Sequence, residues 1–352
     1  MKAVKNKKLH ITPKRVVGFF LLIIFVFTAL SMIASVVIFG VLFHRVDSLD
    51  NYVEISYSLS GVSLSRNEIS FKSGENKLSG YLYSAKNPKG LVIIAPGMNS
   101  SSDRHLAEIK FFTENGYMAL AYDATGVCKS EGGSTVGLQQ SKRDLLSAIN
   151  YAKETDETKS LPVYLYGHSL GGYAVASVLD EADVKAAISL SGFDSPVQTM
   201  HGKAKDYVGI LADIQYPFLY LQNRFTFGDD ADDTAAQSIN STDTPILICY
   251  GGNDSTIPYN LSIYSHEDDI TNSNASFFKV SESCRDGHAN MWLSAESAKY
   301  MADLQSELND MNKVYDGEIP QKALDDFYGG IDTEKAMKLD KAFMNKVLEF
   351  MN

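Results

Sequence analysis

Ser169 lies in the stretch Gly167-His168-Ser169-Leu170-Gly171, directly after the apolar run Val163 to Tyr166 and directly before residues of helical spacing, Tyr173 to Leu179. A serine hydroxyl is a weak nucleophile. It becomes useful when it is held on a sharp turn, where a base reaches it from one side and backbone donors from the other. Gly167 and Gly171 flank it at minus two and plus two, where side chains would collide across so tight a strand-to-helix turn. Taken alone, the pattern also fits an ordinary glycine-rich connection, so the partners decide.

A serine nucleophile needs a base, and the base needs a carboxylate that fixes its tautomer. After the apolar run "ILICYGG" comes Asp254 in "GGNDSTIP", and after "FFKV" comes His288 in "CRDGHANMW". The order is Ser169, Asp254, His288, each partner just past a predicted strand, and this coincidence of type, order and position is a stronger signal than one motif. Asp194, after the preceding strand, is the substitute acid if Asp254 is only a turn residue. His168 adjoins the serine, but neighbours along a turn point apart, so it reads as a packing residue. The oxyanion donors are expected to be the backbone amides of Leu170 and of Met98, the latter in "APGMNSSS", with Gly97 letting the backbone approach.

These residues need a scaffold that brings distant loops to one edge. The apolar runs "GLVIIAPG", "MALAYDATG", "VYLYG", "AAISLSG" and "PILICYGG" alternate with amphipathic stretches such as "HLAEIKFFTENG" and "GLQQSKRDLLSAINYAKE". That alternation predicts an α/β architecture with a mostly parallel sheet. "EISFKS" and "LSGYLYSA" add antiparallel edge strands, and "ASFFKV" completes eight. About fifty residues between Asp194 and Thr244, rich in Tyr and Phe, exceed what the sheet needs and are expected to form a helical cap at its carboxyl edge, with an extra packing layer as the alternative. Beyond Trp292 sixty further residues follow, for which the sequence suggests no role.

The chain has 352 residues and a formal net charge of −11. Val16 to Phe43 is an uncharged run of 28 residues, longer than the roughly 20 needed to cross a bilayer core. Lys2, Lys5, Lys7, Lys8, Lys14 and Arg15 precede it; Arg45, Asp47, Asp50 and Glu54 follow. The reading is a single-pass cell-membrane anchor with a cytoplasmic amino terminus and an extracytoplasmic catalytic domain. A cleaved signal peptide is the alternative, although its core is usually about 7 to 15 residues. The expected divisions are a cytoplasmic segment at 1–15, a transmembrane helix at 16–43, a juxtamembrane segment at 44–66 and a catalytic domain at 67–352. Within that domain the cap spans about 195–244 and a carboxyl-terminal helical extension about 311–352. After Arg45 the chain carries 25 basic against 43 acidic residues, which makes nucleic acid and anionic lipid surfaces poor partners. Cys128, Cys249 and Cys284 fit no disulfide framework or zinc spacing. Cys249 reads as core; Cys128 and Cys284 either pair or stay free. Sequons at Asn99, Asn240, Asn253, Asn260 and Asn274 include two in the loops assigned to the site, where a glycan would block it, and are read as chance.

Together "APGMN", "YDATGVCKSEG", "GHSLGG", "GGNDSTIP" and "GH" resemble the α/β-hydrolase superfamily, especially its serine aminopeptidase-like and monoacylglycerol-lipase-like branch, over roughly residues 67 to 310. Pro96 stands where that branch commonly has histidine, and Cys128 where its second loop glycine is usual. The resemblance implies an α/β-hydrolase fold with a helical cap and hydrolysis of an ester, thioester or amide through an acyl-enzyme. In that scheme Ser169 attacks, His288 moves the proton, Asp254 orients His288, Leu170 and Met98 hold the oxyanion, and no metal or organic cofactor is required. The expected substrate is a small-molecule or lipid-like ester or amide, the aromatic cap favouring a hydrophobic ester. An acyltransferase using the same three residues, and a non-catalytic surface-binding protein on the same scaffold, are the alternatives.

Overall fold

The computed structural model describes residues 12–49 and 52–352, so Lys2, Lys5, Lys7, Lys8 and Asp50 lie outside the described residues. Eight strands form one sheet: β1 (Arg66–Ser73), β2 (Asn76–Tyr83), β3 (Leu91–Ala95), β4 (Met118–Tyr122), β5 (Val163–His168), β6 (Ala186–Leu190), β7 (Ile246–Gly251) and β8 (Ala275–Val280). Their order is β1-β2-β4-β3-β5-β6-β7-β8. The β1–β2 and β2–β4 pairs are antiparallel, and all other neighbours are parallel. Strands β3 to β7 are buried at every position. Both faces of the sheet are covered, which is why the sequence shows unbroken apolar runs there and not alternation.

Successive residues of one strand serve opposite layers. Ile93 packs with the side chains of α3 (Gln140–Glu154), α4 (Leu170–Ser177) and α7 (Ala235–Asn240). Its neighbours Val92 and Ile94 pack with α2 (Leu106–Glu114), α8 (Ala295–Val314) and α11 (Lys341–Met351). The carboxyl-terminal extension is therefore partly structural: Phe343, Met344 and Val347 of α11 close the second layer. Two small helices, α9 (Gln321–Gly329) and α10 (Thr333–Ala336), intervene, and Phe327 joins Leu304, Leu308 and Val53 in a separate apolar cluster.

Between β6 and β7 lie α5 (Pro196–Val208), α6 (Ile210–Phe227), a short 3-10 turn (Gly228–Asp232) and α7. Helix α7 belongs to the sheet layer through Ala235 and Ile239, so α5 and α6 form the projecting part of the insertion. It is seated on α3 by ion pairs from Arg143 to Asp230 at 2.6 Å and from the buried Lys142 to Asp233 at 2.7 Å. Phe227 fills the space left by Gly137, where a Cβ would lie 2.7 Å from its ring.

The first helix, α1 (Pro13–Leu42), has 30 residues and a mean hydropathy of 2.8 over its most apolar window. It is long and apolar enough to cross a membrane. Only Ser31, Ser35 and Phe39 of it are buried. The chain leaving it is bonded into the domain: Arg45 donates to the carbonyls of Cys128, Ser130 and Gly132 at 2.8 to 2.9 Å, and Val46 N–H to that of Gly126 at 2.9 Å. All three cysteines are free.

Candidate active site

Strand β5 ends at His168 and α4 begins at Leu170, which leaves Ser169 alone on the turn with φ 58° and ψ −114°. A non-glycine residue in that region costs on the order of 1–3 kcal/mol, and the surroundings must enforce it. They do so through the backbone: Ser169 N–H donates to Leu190 O at 2.8 Å, and Ser169 O accepts from Tyr173 N at 3.0 Å. The two flanking glycines are required by space. A Cβ at Gly167 would fall 2.1 Å from the Gly171 carbonyl oxygen, and one at Gly171 would fall 2.1 Å from that of Ala95.

The loops after β7 and β8 are laced together. Asn253 N–H donates to Asp286 O at 2.7 Å, and Gly251 lies so close that a Cβ there would meet Gly287 O at 2.4 Å. This approach sets His288 Nδ1 2.8 Å from Asp254 Oδ2. The Asp254 side chain is fully buried, and its other oxygen accepts the amides of Thr256 and Ile257, both at 2.9 Å. A carboxylate can only accept from Nδ1–H, so Nε2 of a neutral His288 is left as a proton acceptor. Among the described residues Ser169 Oγ makes no hydrogen bond to His288; such contacts commonly tighten only around a bound substrate. Asp194, the substitute acid, is engaged elsewhere: it accepts from Ala236 N at 2.8 Å and faces His266 Nε2 at 3.5 Å, and burial raises its pKa.

Leu170 is the first residue of α4, and Met98 follows β3. Among the described residues neither backbone amide donates to a protein acceptor, so both are available to an oxyanion. The Gly97 backbone comes close to the turn, a Cβ there lying 3.9 Å from Ser169 Cβ. Behind these amides is a cavity of about 20 Å³, room for about one water, bordered by Met98, Leu170, Leu138 and Phe43. Phe43 follows the last residue of α1. That an apolar amino-terminal helix supplies a wall beside the site was not foreseen from the sequence.

His168 also does more than fill space. Its Nε2 lies 2.8 Å from His288 O, its ring is 4.7 Å from that of His288 and 4.9 Å from Trp292, and it is buried. Burial pushes its pKa well below the ordinary histidine value, reinforced by the His288 and His105 rings. No group of three or more metal-ligating side chains occurs among the described residues.

A family model for serine aminopeptidase, S33, matches residues 86–220, which contain the Met98 loop, Ser169 and the first half of the cap. A polyketide transferase, grgF, from a Penicillium species is 28% identical over 138 residues, which is 38% of this chain and 47% of that protein. The chain thus spans about half the length of this curated relative. The esterase Pf2001 of Pyrococcus furiosus superposes with a TM-score of 0.53 at 18% identity, covering 77% of this chain and 98% of the esterase. Est1E of Butyrivibrio proteoclasticus, solved with ferulic acid bound, gives a TM-score of 0.50 at 18% identity, covering 69% and 96%. With its eight-stranded sheet, its strained serine turn and these likenesses, the chain has the α/β-hydrolase fold, and its residues 86–220 are similar to the serine aminopeptidase family.

Proposed function

We propose that the protein is a membrane-anchored, extracytoplasmic serine hydrolase that cleaves an ester or amide bond through an acyl-enzyme. The observation that carries the reading is Ser169, held at positive φ between a strand and a helix, on the same sheet edge as a His288–Asp254 pair at 2.8 Å. In this mechanism Ser169 Oγ attacks the acyl carbonyl as its proton passes to His288 Nε2. The Asp254 carboxylate stabilises the imidazolium and keeps its tautomer. The amides of Leu170 and Met98 bind the oxyanion of the tetrahedral intermediate, aided by the amino-terminal end of α4. His288 then gives its proton to the leaving alcohol or amine. Water, deprotonated by the same histidine, releases the acid and restores Ser169. No step requires a metal or organic cofactor, and the expected substrate is a small-molecule or lipid-like ester or amide.

Helix α1 supports the anchor. Its 30 residues span roughly 45 Å at about 1.5 Å per residue, against a hydrocarbon core of about 30 Å. The basic residues before it, with no acid among residues 1–45, favour a cytoplasmic amino terminus. Residues 1–15 then form the cytoplasmic segment, and the catalytic domain after about residue 66 faces outward. Protease added to intact cells removes that domain under this topology and spares an amino-terminal tag; the reverse pattern defeats it.

The test of the chemistry is labelling by a fluorophosphonate, which reports an activated serine without knowledge of the substrate. Wild-type protein labels, and Ser169→Ala and His288→Ala do not; undiminished labelling of Ser169→Ala overturns the assignment. The polyketide transferase relative gives a second reading, acyl transfer from the same acyl-enzyme to an alcohol or amine acceptor. Product analysis with and without such acceptors separates the two.

A further inference from the structure

Helix α6 is apolar on two faces. Ala212, Leu219 and Phe227 are buried toward the domain. Ile210, Leu211, Ile214, Leu221 and Phe225 form a second stripe that is exposed, Ile210 to 75% and Phe225 to 76%, and Tyr207 and Val208 at the end of α5 extend it. The two charged side chains of α6 are both paired, Asp213 with His201 and Lys205, and Arg224 with Asp229. Single exposed apolar residues are ordinary; seven gathered on one helical hairpin mark a surface that something covers.

The position of α6 says what covers it. It lies along α1: the Phe218 ring is 5.9 Å from that of Phe27, and Gln215 Nε2 donates to Ser31 O at 2.7 Å and Ser35 Oγ at 2.6 Å. If Lys14 and Arg15 hold one end of α1 at a headgroup boundary, a hydrocarbon core of about 30 Å runs out near Ser35. The stretch that α6 touches, Phe27 to Ser35, then lies in the distal half of the bilayer. The polar groups at that depth satisfy one another, as hydrocarbon demands. The rest of α1 around this stretch is also exposed and apolar, as at Phe25, Leu30 and Ile33.

We infer that α6 and the end of α5 enter the outer leaflet of the membrane alongside α1, with the exposed stripe against lipid acyl chains, so that the anchor helix is the docking partner of the cap as well as its tether. The bend between α5 and α6 falls at Gly209, φ 55°, a conformation glycine adopts without strain. This inference rests on the membrane reading of α1 and is independent of the hydrolase chemistry.

The test uses the full chain in phosphatidylcholine vesicles, with quenching of tryptophan emission by lipids brominated at different depths. The single native Trp292 is buried and supplies the background. Phe225→Trp changes an exposed residue and leaves the fold intact; Leu30→Trp reports α1, and Tyr315→Trp reports an exposed site away from the cap. Phe225→Trp is expected to lose about half of its added emission, most strongly with bromines near the headgroups, as for a helix lying about 5–10 Å into the boundary, while Tyr315→Trp loses none. A Phe225→Trp signal no more quenched than that of Tyr315→Trp, with Leu30→Trp quenched, overturns the inference. So does a signal insensitive to bromolipids that shifts with protein dilution, which assigns the stripe to a second copy of the chain. An unquenched Leu30→Trp removes the anchor and the inference together. Fluorophosphonate labelling of the same vesicles reads the hydrolase chemistry separately.

Discussion

The ring of His168 donates through Nε2 to the main-chain oxygen of His288 at 2.8 Å, one residue before the strained Ser169 and 120 residues before its acceptor. A carbonyl only accepts, so Nε2 carries the proton and His168 is neutral in its Nε2–H form or charged. The bond ties the strand that ends at the serine to the loop that carries the proposed base. Trp292 packs edge-on against the same ring, centroids 4.9 Å apart. In the proposed mechanism His168 is a positioning residue for His288, acting on its backbone while Asp254 acts on its side chain.

That arrangement predicts a pH dependence. In the folded protein His168 titrates well below its ordinary value because it is buried beside two other histidines. In the unfolded chain it takes a proton near pH 6.5. The unfolded state therefore binds more protons below that pH, and stability falls as pH drops through and below about 6.5. Asp123, Asp144 and Asp194, whose pKa values burial raises, act in the opposite sense at lower pH and are common to wild type and variant. Melting temperature measured from about pH 8 to about pH 5 should decline more steeply for wild type than for His168→Gln. Parallel slopes would show that His168 does not carry the effect.

Asp254 and Asp194 make a clean contrast. Asp254→Asn leaves the geometry but favours the wrong imidazole tautomer, so kcat should fall by about a thousandfold or more. Asp194→Asn, which touches the start of α7 and His266, should alter kcat by less than about tenfold. A larger loss for Asp194→Asn moves the carboxylate role to it.

The turn itself can be tested without removing any chemical group. Gly171→Ala inserts a methyl where the Ala95 carbonyl already stands, 2.1 Å away. Relief requires moving β3 or α4, and overpacking of this kind costs about 1–3 kcal/mol or more. Fluorophosphonate labelling should be lost together with stability. A variant that labels at the wild-type rate would mean the turn is not constrained as described.

Much of this was legible in the sequence because of how the sheet is buried. Strands β3 to β7 are covered on both faces, so each is an uninterrupted apolar run, and the loops after β5, β7 and β8 could be found by counting from them. Side-chain direction inside the cap was less accessible. Phe225 and Phe227 look equivalent as neighbouring aromatics, yet two residues along a helix is about 200°, and they face opposite ways. The docking of α1 against α6 left one trace, Ser31 and Ser35 at helical spacing in an otherwise apolar run, which a reading for membrane length passes over. The role of His168 had no local signal, because its acceptor is a backbone atom 120 residues away.

The opposed aromatics give separate predictions. Phe227 is buried against Gly137, with the Arg143 guanidinium 5.2 Å from its ring centroid. Phe227→Ala should destabilise the protein by about 3–5 kcal/mol and impair all substrates. Phe225→Ala, on the exposed stripe, should leave thermal stability in detergent unchanged within about 0.5 kcal/mol. Equal destabilisation by the two would show that the stripe is covered by protein.

Phe43 gives the most specific prediction about substrate. It is buried, packs with its ring centroid 5.2 Å from that of Phe39 at a tilt of 57°, and is pinned through its carbonyl, which accepts from Thr135 N at 2.9 Å. It borders the cavity of about 20 Å³ beside Met98 and Leu170, the residues whose amides are proposed to hold the oxyanion. An acyl group attached to Ser169 with its oxygen on those amides must direct its chain into neighbouring space, and Phe43 limits that space on one side. Phe43→Leu removes part of the ring at a cost of about 1–2 kcal/mol, small enough to leave a folded enzyme. The ratio of kcat/KM for an octanoyl to a butyryl ester should rise by about tenfold, corresponding to roughly 1.4 kcal/mol of differential transition-state binding. Phe43→Trp should lower the same ratio. If both esters change in parallel in the two variants, Phe43 serves only to seat α1 on the domain, and the acyl chain leaves the serine by another route.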